Sequence, residues 1–155
     1  MKFTLRTYRS STPIPSLRGS TARSKPIIPM TVIGARAQET CFVLVDTGSD
    51  DVVFPVALAQ RIGVDLSRAP QRHSQGVGSV QPVPILYAPV ILALSDHQQT
   101  IRWRATVGFT SVPLQFSLLG VASGLEFFQT ILDVPQRKIE LLPNSTLPVT
   151  QDLIP

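Results

Sequence analysis

The sequence predicts a mainly β domain with frequent turns, and three observations carry that prediction. Fourteen Pro and nine Gly are spread among many Val, Ile, Leu and Thr, a mixture of turn formers and strand formers that leaves little room for long helices. Ile101, Trp103, Ala105, Val107 and Phe109 alternate with more polar or smaller neighbours, the period-2 pattern of a half-buried strand. With 43% hydrophobic and 15% charged residues in 155, the chain can bury a sizeable core of one domain and does not have the composition of a disordered protein.

Taken in order, residues 2–8 alternate like a short strand, whereas 9–25 have the Ser, Thr, Pro, Gly and Arg content of a linker. The chain is therefore divided into a basic, Ser/Thr/Pro-rich N-terminal arm or linker over 1–25 and a compact domain over 26–155. Ile27 to Ile33 reads as a strand that includes Pro29, and Thr40 to Val45 is an apolar run of strand length leading directly into Asp46. Val52-Val53-Phe54 reads as a further strand, and Pro55 to Ile62 as a short helix that Gly63 ends. Residues 65–75 are polar connection or the start of a hairpin arm, and Gly76-Val77-Gly78-Ser79 is a glycine-rich hairpin tip by composition. Val83 to Leu94 makes one or two strands, 95–99 a turn, and Phe116 to Gly120 another apolar run. Ser123 to Gln129 reads as a short helix, and Ile131 to Val134 and Ile139 to Leu142 flank a Pro-Gln-Arg-Lys turn.

Charge and cysteine content exclude several classes of function. The net charge of +4 is concentrated at the front: Lys2, Arg6, Arg9, Arg18, Arg23, Lys25 and Arg36 all precede the first acid, Glu39. A nucleic-acid-binding domain needs basic residues within its folded part together with aromatic residues for stacking, so no nucleic-acid partner is expected. One cysteine, Cys41, forms no intramolecular disulfide, and no Cys/His cluster has the spacing of a zinc site. The longest apolar stretch, Ala88 to Leu94, is far short of the roughly 20 residues that span a bilayer. Phe3, Leu5 and Tyr8 alternate with polar residues instead of forming a secretory signal. The expectation is a soluble, cytoplasmic chain with no membrane partner; a transit peptide, rich in Arg and Ser, stays open.

The informative segment is Phe42-Val43-Leu44-Val45-Asp46-Thr47-Gly48-Ser49. An acid at the end of an apolar strand must be paired, hydrogen-bonded or protonated if it is to be buried. Gly48 lets the chain turn tightly and brings backbone N–H groups to the carboxylate, and the Thr47 and Ser49 hydroxyls can donate further bonds. A plain turn is the competing reading, since all four residue types are common in turns.

The order of features resembles the retropepsin-like family of aspartic proteases. The match runs through the apolar strand Phe42–Val45 and Asp46-Thr47-Gly48-Ser49, then the acidic Asp50-Asp51 and the glycine-rich tip Gly76-Val77-Gly78-Ser79. It continues with Leu118-Leu119-Gly120 before a helix, and Ile131-Leu132-Asp133-Val134-Pro135 through Leu141 resembles the family's closing hairpin. The resemblance covers about residues 26–142, and the ordered set is more specific than any one motif. It implies an all-β, retropepsin-like closed acid-protease barrel with one or two short helices. Only one Asp-Thr-Gly occurs, so it also implies a homodimer in which each subunit supplies one Asp46 at the two-fold. Two adjacent carboxylates share a proton; the ionised one activates water and the protonated one polarises the peptide carbonyl. That chemistry needs neither metal, cofactor nor covalent nucleophile.

By the same resemblance Asp46 is catalytic, with Thr47 bonding across the two-fold, Gly48 shaping the loop, and Ser49 donating to the carboxylate and lowering its pKa. Gly76, Val77, Gly78 and Ser79 form a flap over an extended peptide or protein substrate, which Asp50, Asp51, Leu118, Leu119 and Gly120 help to bind. Val53, Val77, Val80 and Leu118 near the groove suggest an apolar preference. Viral members commonly carry Arg after the apolar-apolar-Gly segment, paired with the first acid; Val121 stands there in this chain. That departure supports an alternative, a catalytically weak or latent dimer that binds or scaffolds peptides. A further alternative has residues 1–25 covering the groove until removed.

Other candidates are set aside. Asp46, Gly48 and Asp50 lack the downstream Glu of a calcium loop, and Ser123 is one position away from the hydrolase elbow pattern. His73 and His97 are expected at the surface, Trp103 in the core, Arg102 and Arg104 on the solvated face, and Cys41 as a buried small hydrophobe.

Overall fold

Strands dominate the computed structural model of the chain, which describes residues 1–75 and 81–148. The chain opens with β1 (Lys2–Thr4), β2 (Arg6–Ile14) and β3 (Ser20–Lys25), and continues through β4 (Ile27–Ile33), β5 (Gln38–Val45) and β6 (Val53–Pro55). The helix α1 (Val56–Ile62) follows, then β7 (Gln71–Ser74), β8 (Val83–Ser95), β9 (Thr100–Thr110) and β10 (Ser117–Leu119). A hairpin of β11 (Phe128–Asp133) and β12 (Lys138–Pro143) completes the described elements.

Seven strands form the main sheet in the order β4-β5-β10-β6-β9-β8-β7, and β4 also pairs with β8. β8 and β9 make its longest hairpin, antiparallel from Leu86↔Phe109 to Ser95↔Thr100. The Asp96 carboxylate closes their turn by accepting from the backbone N–H groups of Gln98 and Gln99 at 2.9 Å each. It also accepts from Lys2 N at 3.1 Å, and these donors hold it below the usual carboxylate range, the Gln98 bond contributing most. The expected alternation is real: Trp103, Ala105, Val107 and Phe109 are buried while Arg104 and Thr106 are exposed. Val83 to Ser95 is one strand, with Leu92 and Leu94 fully buried on it.

Helix α1 starts after Pro55 and stops at Gly63, whose φ of 77° puts it in the left-handed region that glycine adopts at no steric cost. It buries Leu58, Ala59 and Ile62. The helix expected over 123–129 is instead a single 3₁₀ turn, Leu125–Phe127, followed by strand β11. Ser123 has φ 59°, and its carbonyl accepts from Trp103 Nε1 at 2.9 Å. Phe128 is pulled out of helical geometry to pack edge-on against Trp103, with ring centroids 5.5 Å apart. Tertiary contacts with Trp103 thus override the local helical preference.

The N-terminal segment is structured in two pieces. β1 pairs with β12, the Met1 ammonium donates to Leu141 O at 2.8 Å, and Met1 and Leu5 are buried with the main core. Residues 9–25, linker-like in composition, contribute most of the β2–β3 ribbon. Polar strand residues hid it: only Tyr8, Ser10 and Ile14 of β2 are half-buried. No helix among the described residues is long and apolar enough to cross a membrane.

Candidate functional site

The apolar strand β5 delivers Asp46 to the edge of a groove. Val43 and Val45 are buried, fixing the strand against the core, and Asp46 N donates to Leu119 O at 3.0 Å, continuing the parallel β5–β10 pairing by one residue. Gly48 N then donates to Asp46 Oδ1 at 2.9 Å and Ser49 N to Asp46 O at 3.2 Å. The turn predicted from Asp-Thr-Gly-Ser is therefore built around the carboxylate, which retains a second oxygen for chemistry.

The loop after Asp46 is locked by the segment after β10. Val121 N donates to Ser49 O at 3.0 Å and Ala122 N to Asp50 O at 2.7 Å, and Asp51 and Ala122 form an isolated parallel bridge. Such close approach requires Gly120: a Cβ there would stand 2.6 Å from Ser49 O and closer still to Asp51 O. Gly120 therefore lets the 49–51 backbone and the segment after β10 come together. Leu119 is fully buried in the core, because it alternates with Leu118 along β10. The substrate-binding role expected of Leu119 and Gly120 thus falls on a buried core residue and on a glycine packed against the 49–51 backbone.

Asp46, Gly48, Ser49, Asp50, Asp51 and Leu118 line the groove, a cavity of about 380 Å³, and Val53, Ile85, Ser74 and Gln75 complete it. Thr47 is exposed beside it. The tip Gly76, Val77, Gly78 and Ser79, with Val80, lies outside the described residues; Ser74 and Gln75, just before it, reach the groove wall.

Ser49 is expected to donate to the Asp46 carboxylate. Its hydroxyl donates to Asp51 O at 2.8 Å, and a hydroxyl carries one proton, so that proton is committed to the loop and not to the Asp46 carboxylate. The tight bend at 49–51 brings the Asp51 carbonyl within reach of the Ser49 hydroxyl.

A second cavity of about 590 Å³ adjoins the first, sharing Asp50, Asp51, Ser74 and Gln75 with it and extending to Pro70, Arg72, His73 and Tyr87. Tyr87 donates from its hydroxyl to Asp51 Oδ2 at 2.5 Å. Burial, with that bond second, pushes the Tyr87 phenol up to about 12. Val121 is exposed at 42% and brings no charge to Asp50; this acidic pair accepts a side-chain bond from Tyr87, onto Asp51, and Arg72 lines the same cavity. Sequence reasoning missed Tyr87, Arg72 and Ile85; a tyrosine in an otherwise apolar strand is the one local signal that marks a polar partner nearby. Among the other candidates, His73 and His97 are exposed, Trp103 is fully buried, and Cys41 is half-buried.

No family model matches the chain, and no curated protein is similar to it. Among solved structures, it is similar to the EIAV protease complexed with the inhibitor HBY-793, at 20% identity over 62% of this chain and 81% of that one, with a TM-score of 0.37. A likeness that weak in sequence and in superposition leaves the residues of this chain to carry the functional reading.

Proposed function

We propose that the chain is an aspartic endopeptidase that hydrolyses peptide bonds in extended polypeptide segments, with Asp46 as the catalytic residue and the active site completed by a second subunit. One observation carries this reading: the carboxylate of Asp46 ends a buried strand, is oriented by the Gly48 N–H, and opens onto a groove whose lining includes apolar Leu118, Val53 and Ile85. A peptide needs apolar walls for its side chains and a positioned acid–base group at the scissile bond.

One such carboxylate per chain cannot act as both base and acid in a single step. A homodimer with the two Asp46 residues facing across a two-fold supplies the pair. Two adjacent carboxylates hold one proton between them: the ionised one takes a proton from water as it attacks the carbonyl, and the other polarises that carbonyl and later protonates the leaving amine. The return pairing of β4 to β8 supports reading the main sheet as a closed barrel, a rigid frame for the loop that holds Asp46. The strands β7 and β8, which lead to and from the glycine-rich tip, support reading that tip as a flap.

The test is cleavage of a diverse peptide mixture between mildly acid and neutral pH, with wild type and Asp46→Asn compared and their association measured by sedimentation. Cleavage by the wild-type dimer, lost in Asp46→Asn, is the expected result. Folded dimers that cut nothing would transfer the assignment to the peptide-binding module that Val121 suggests.

A further inference from the structure

The β2–β3 ribbon is cationic on one face. Its register sets Arg6 opposite Lys25 and Tyr8 opposite Arg23; directly opposed residues, and residues two apart on a strand, project to the same side. Arg6, Tyr8, Arg23 and Lys25 therefore share a face. Residues 6–25 contain five cations and no Asp or Glu, and the ion pairs described in the chain, Lys2–Glu140 and Arg61–Glu39, use none of the five. Arg6 directly opposite Lys25 is a like-charge cross-strand pair, an arrangement that destabilises a ribbon until an anion joins it.

That face meets the strip of β5 and β10 that leads to Asp46. Leu44 and Leu118 are register partners on the side of these strands away from the buried Val43 and Val45, and Leu118 lines the groove with Asp46. Phe42 lies two residues before Leu44 on the same side. Arg6 stands over the Phe42 ring, Cζ 4.0 Å from its centroid. Lys25 Nζ lies 4.9 Å from the Phe116 centroid and 5.3 Å from that of Tyr8, and Tyr8 and Phe116 meet edge to face at 5.6 Å. Phe42 stands four residues before Asp46, roughly 13 Å at ~3.3 Å per residue, and an extended peptide advances at the same rate.

We propose that Arg6, Arg23 and Lys25 form a subsite for carboxylate side chains, so that acidic peptides carrying Asp or Glu about three to five residues from the scissile bond are the favoured substrates. This rests on the reading of Asp46 as the catalytic centre. A peptide suits the face better than a nucleic acid: stacking several bases needs several aromatic faces open to solvent, whereas Tyr8 and Phe116 pack on each other and under Lys25, and only the half-exposed Phe42, with Arg6 over one face, presents a ring. A carboxylate needs only the cations.

The test uses one cleaved parent peptide, neutral at its outer positions, and versions with Asp or Glu placed three to five residues from the cut, assayed at low salt near pH 6, where those side chains are ionised. The expected result is a gain in kcat/KM of about tenfold, arising in KM, that added salt screens away and that Arg23→Gln/Lys25→Gln reduces to the level of the neutral parent. Equal rates on acidic and neutral peptides, or a preference that survives the double substitution in a folded chain, overturns the subsite while the cleavage itself stands. Binding of the same labelled peptides to Asp46→Asn, followed by fluorescence anisotropy, decides the matter if the wild type cuts nothing. Tighter binding of the acidic versions, lost on adding the double substitution, keeps the subsite after the catalytic reading has failed, and equal binding removes both. A single-stranded oligonucleotide that displaces the acidic peptide at lower concentration than the neutral peptide does would overturn the peptide assignment in favour of nucleic acid.

Discussion

The Tyr87 hydroxyl donates to Oδ2 of Asp51 at 2.5 Å, tying the long strand β8 to the loop that begins at Asp46. A second tie runs through Ser49, whose hydroxyl bonds the Asp51 carbonyl, so both the side chain and the backbone of Asp51 are held. An acid fixed in this way presents one orientation to a ligand in either adjoining cavity.

Tyr87→Phe removes the donor and leaves Asp51 to find water. Denaturant titration should show a loss of about 1.5–3 kcal/mol, the range for a hydrogen bond to a charged group. The pH dependence has a definite sign. The phenol is raised in the fold from 10.0 to about 12, so its contribution is complete below pH 10 and disappears as pH rises towards 12. Two tyrosines are present; a near-ultraviolet absorbance titration should lose its highest transition in Tyr87→Phe.

Gly120→Ala should be among the most damaging single changes in the chain. The new methyl would stand 2.6 Å from Ser49 O and nearer still to Asp51 O, and backbone on both sides cannot yield as a side chain tip would. A loss of about 3 kcal/mol or more is expected from such overpacking, seen as a lower denaturation midpoint together with loss of any peptide cleavage.

Much of the site was legible because its signals are local. Asp46, Gly48 and Ser49 lie within four residues of one another, and the strand before them is marked by its own apolar run. The stop of α1 at Gly63 and the alternation of β9 are local in the same sense. What was missed depends on contacts between distant segments. Tyr87 and Asp51 are 36 residues apart, and no periodicity announces their bond. Within the ribbon, residues 9–25 read as linker because its strands bury little; the ribbon rests on Phe42 and Phe116 and on Arg137, whose Nη2 donates to Thr7 Oγ1 at 2.6 Å. The helix read over 123–129 failed for a like reason, since Trp103 holds both the Ser123 carbonyl and the Phe128 ring.

Cys41 should be a slow thiol. Burial, foremost among its influences, pushes it from 9.0 to about 11, so the thiolate is scarcer at neutral pH by on the order of 100-fold than in the unfolded chain. Alkylation near pH 8 should be correspondingly slow in the native protein and fast in urea. The linkage runs the same way as for Tyr87: the stabilising contribution is complete below pH 9 and fades as pH rises through 11. A native thiol as reactive as the unfolded one would show that β5 opens readily at Cys41, five residues before Asp46.

Ser49→Ala separates two roles that the sequence alone confounds. If the hydroxyl acted on the Asp46 carboxylate, its loss would raise the acid limb of the pH–rate profile by withdrawing a donor from the charged form. The bond it makes is to the Asp51 carbonyl at 2.8 Å, a neutral acceptor within the loop. The expected outcome is therefore a stability loss of about 0.5–1.5 kcal/mol with the acid limb unmoved, and any fall in kcat/KM should appear in KM as Asp51 loses part of its anchoring. A displaced acid limb with unchanged stability would mean that the hydroxyl turns to Asp46 once the second subunit and a peptide are in place.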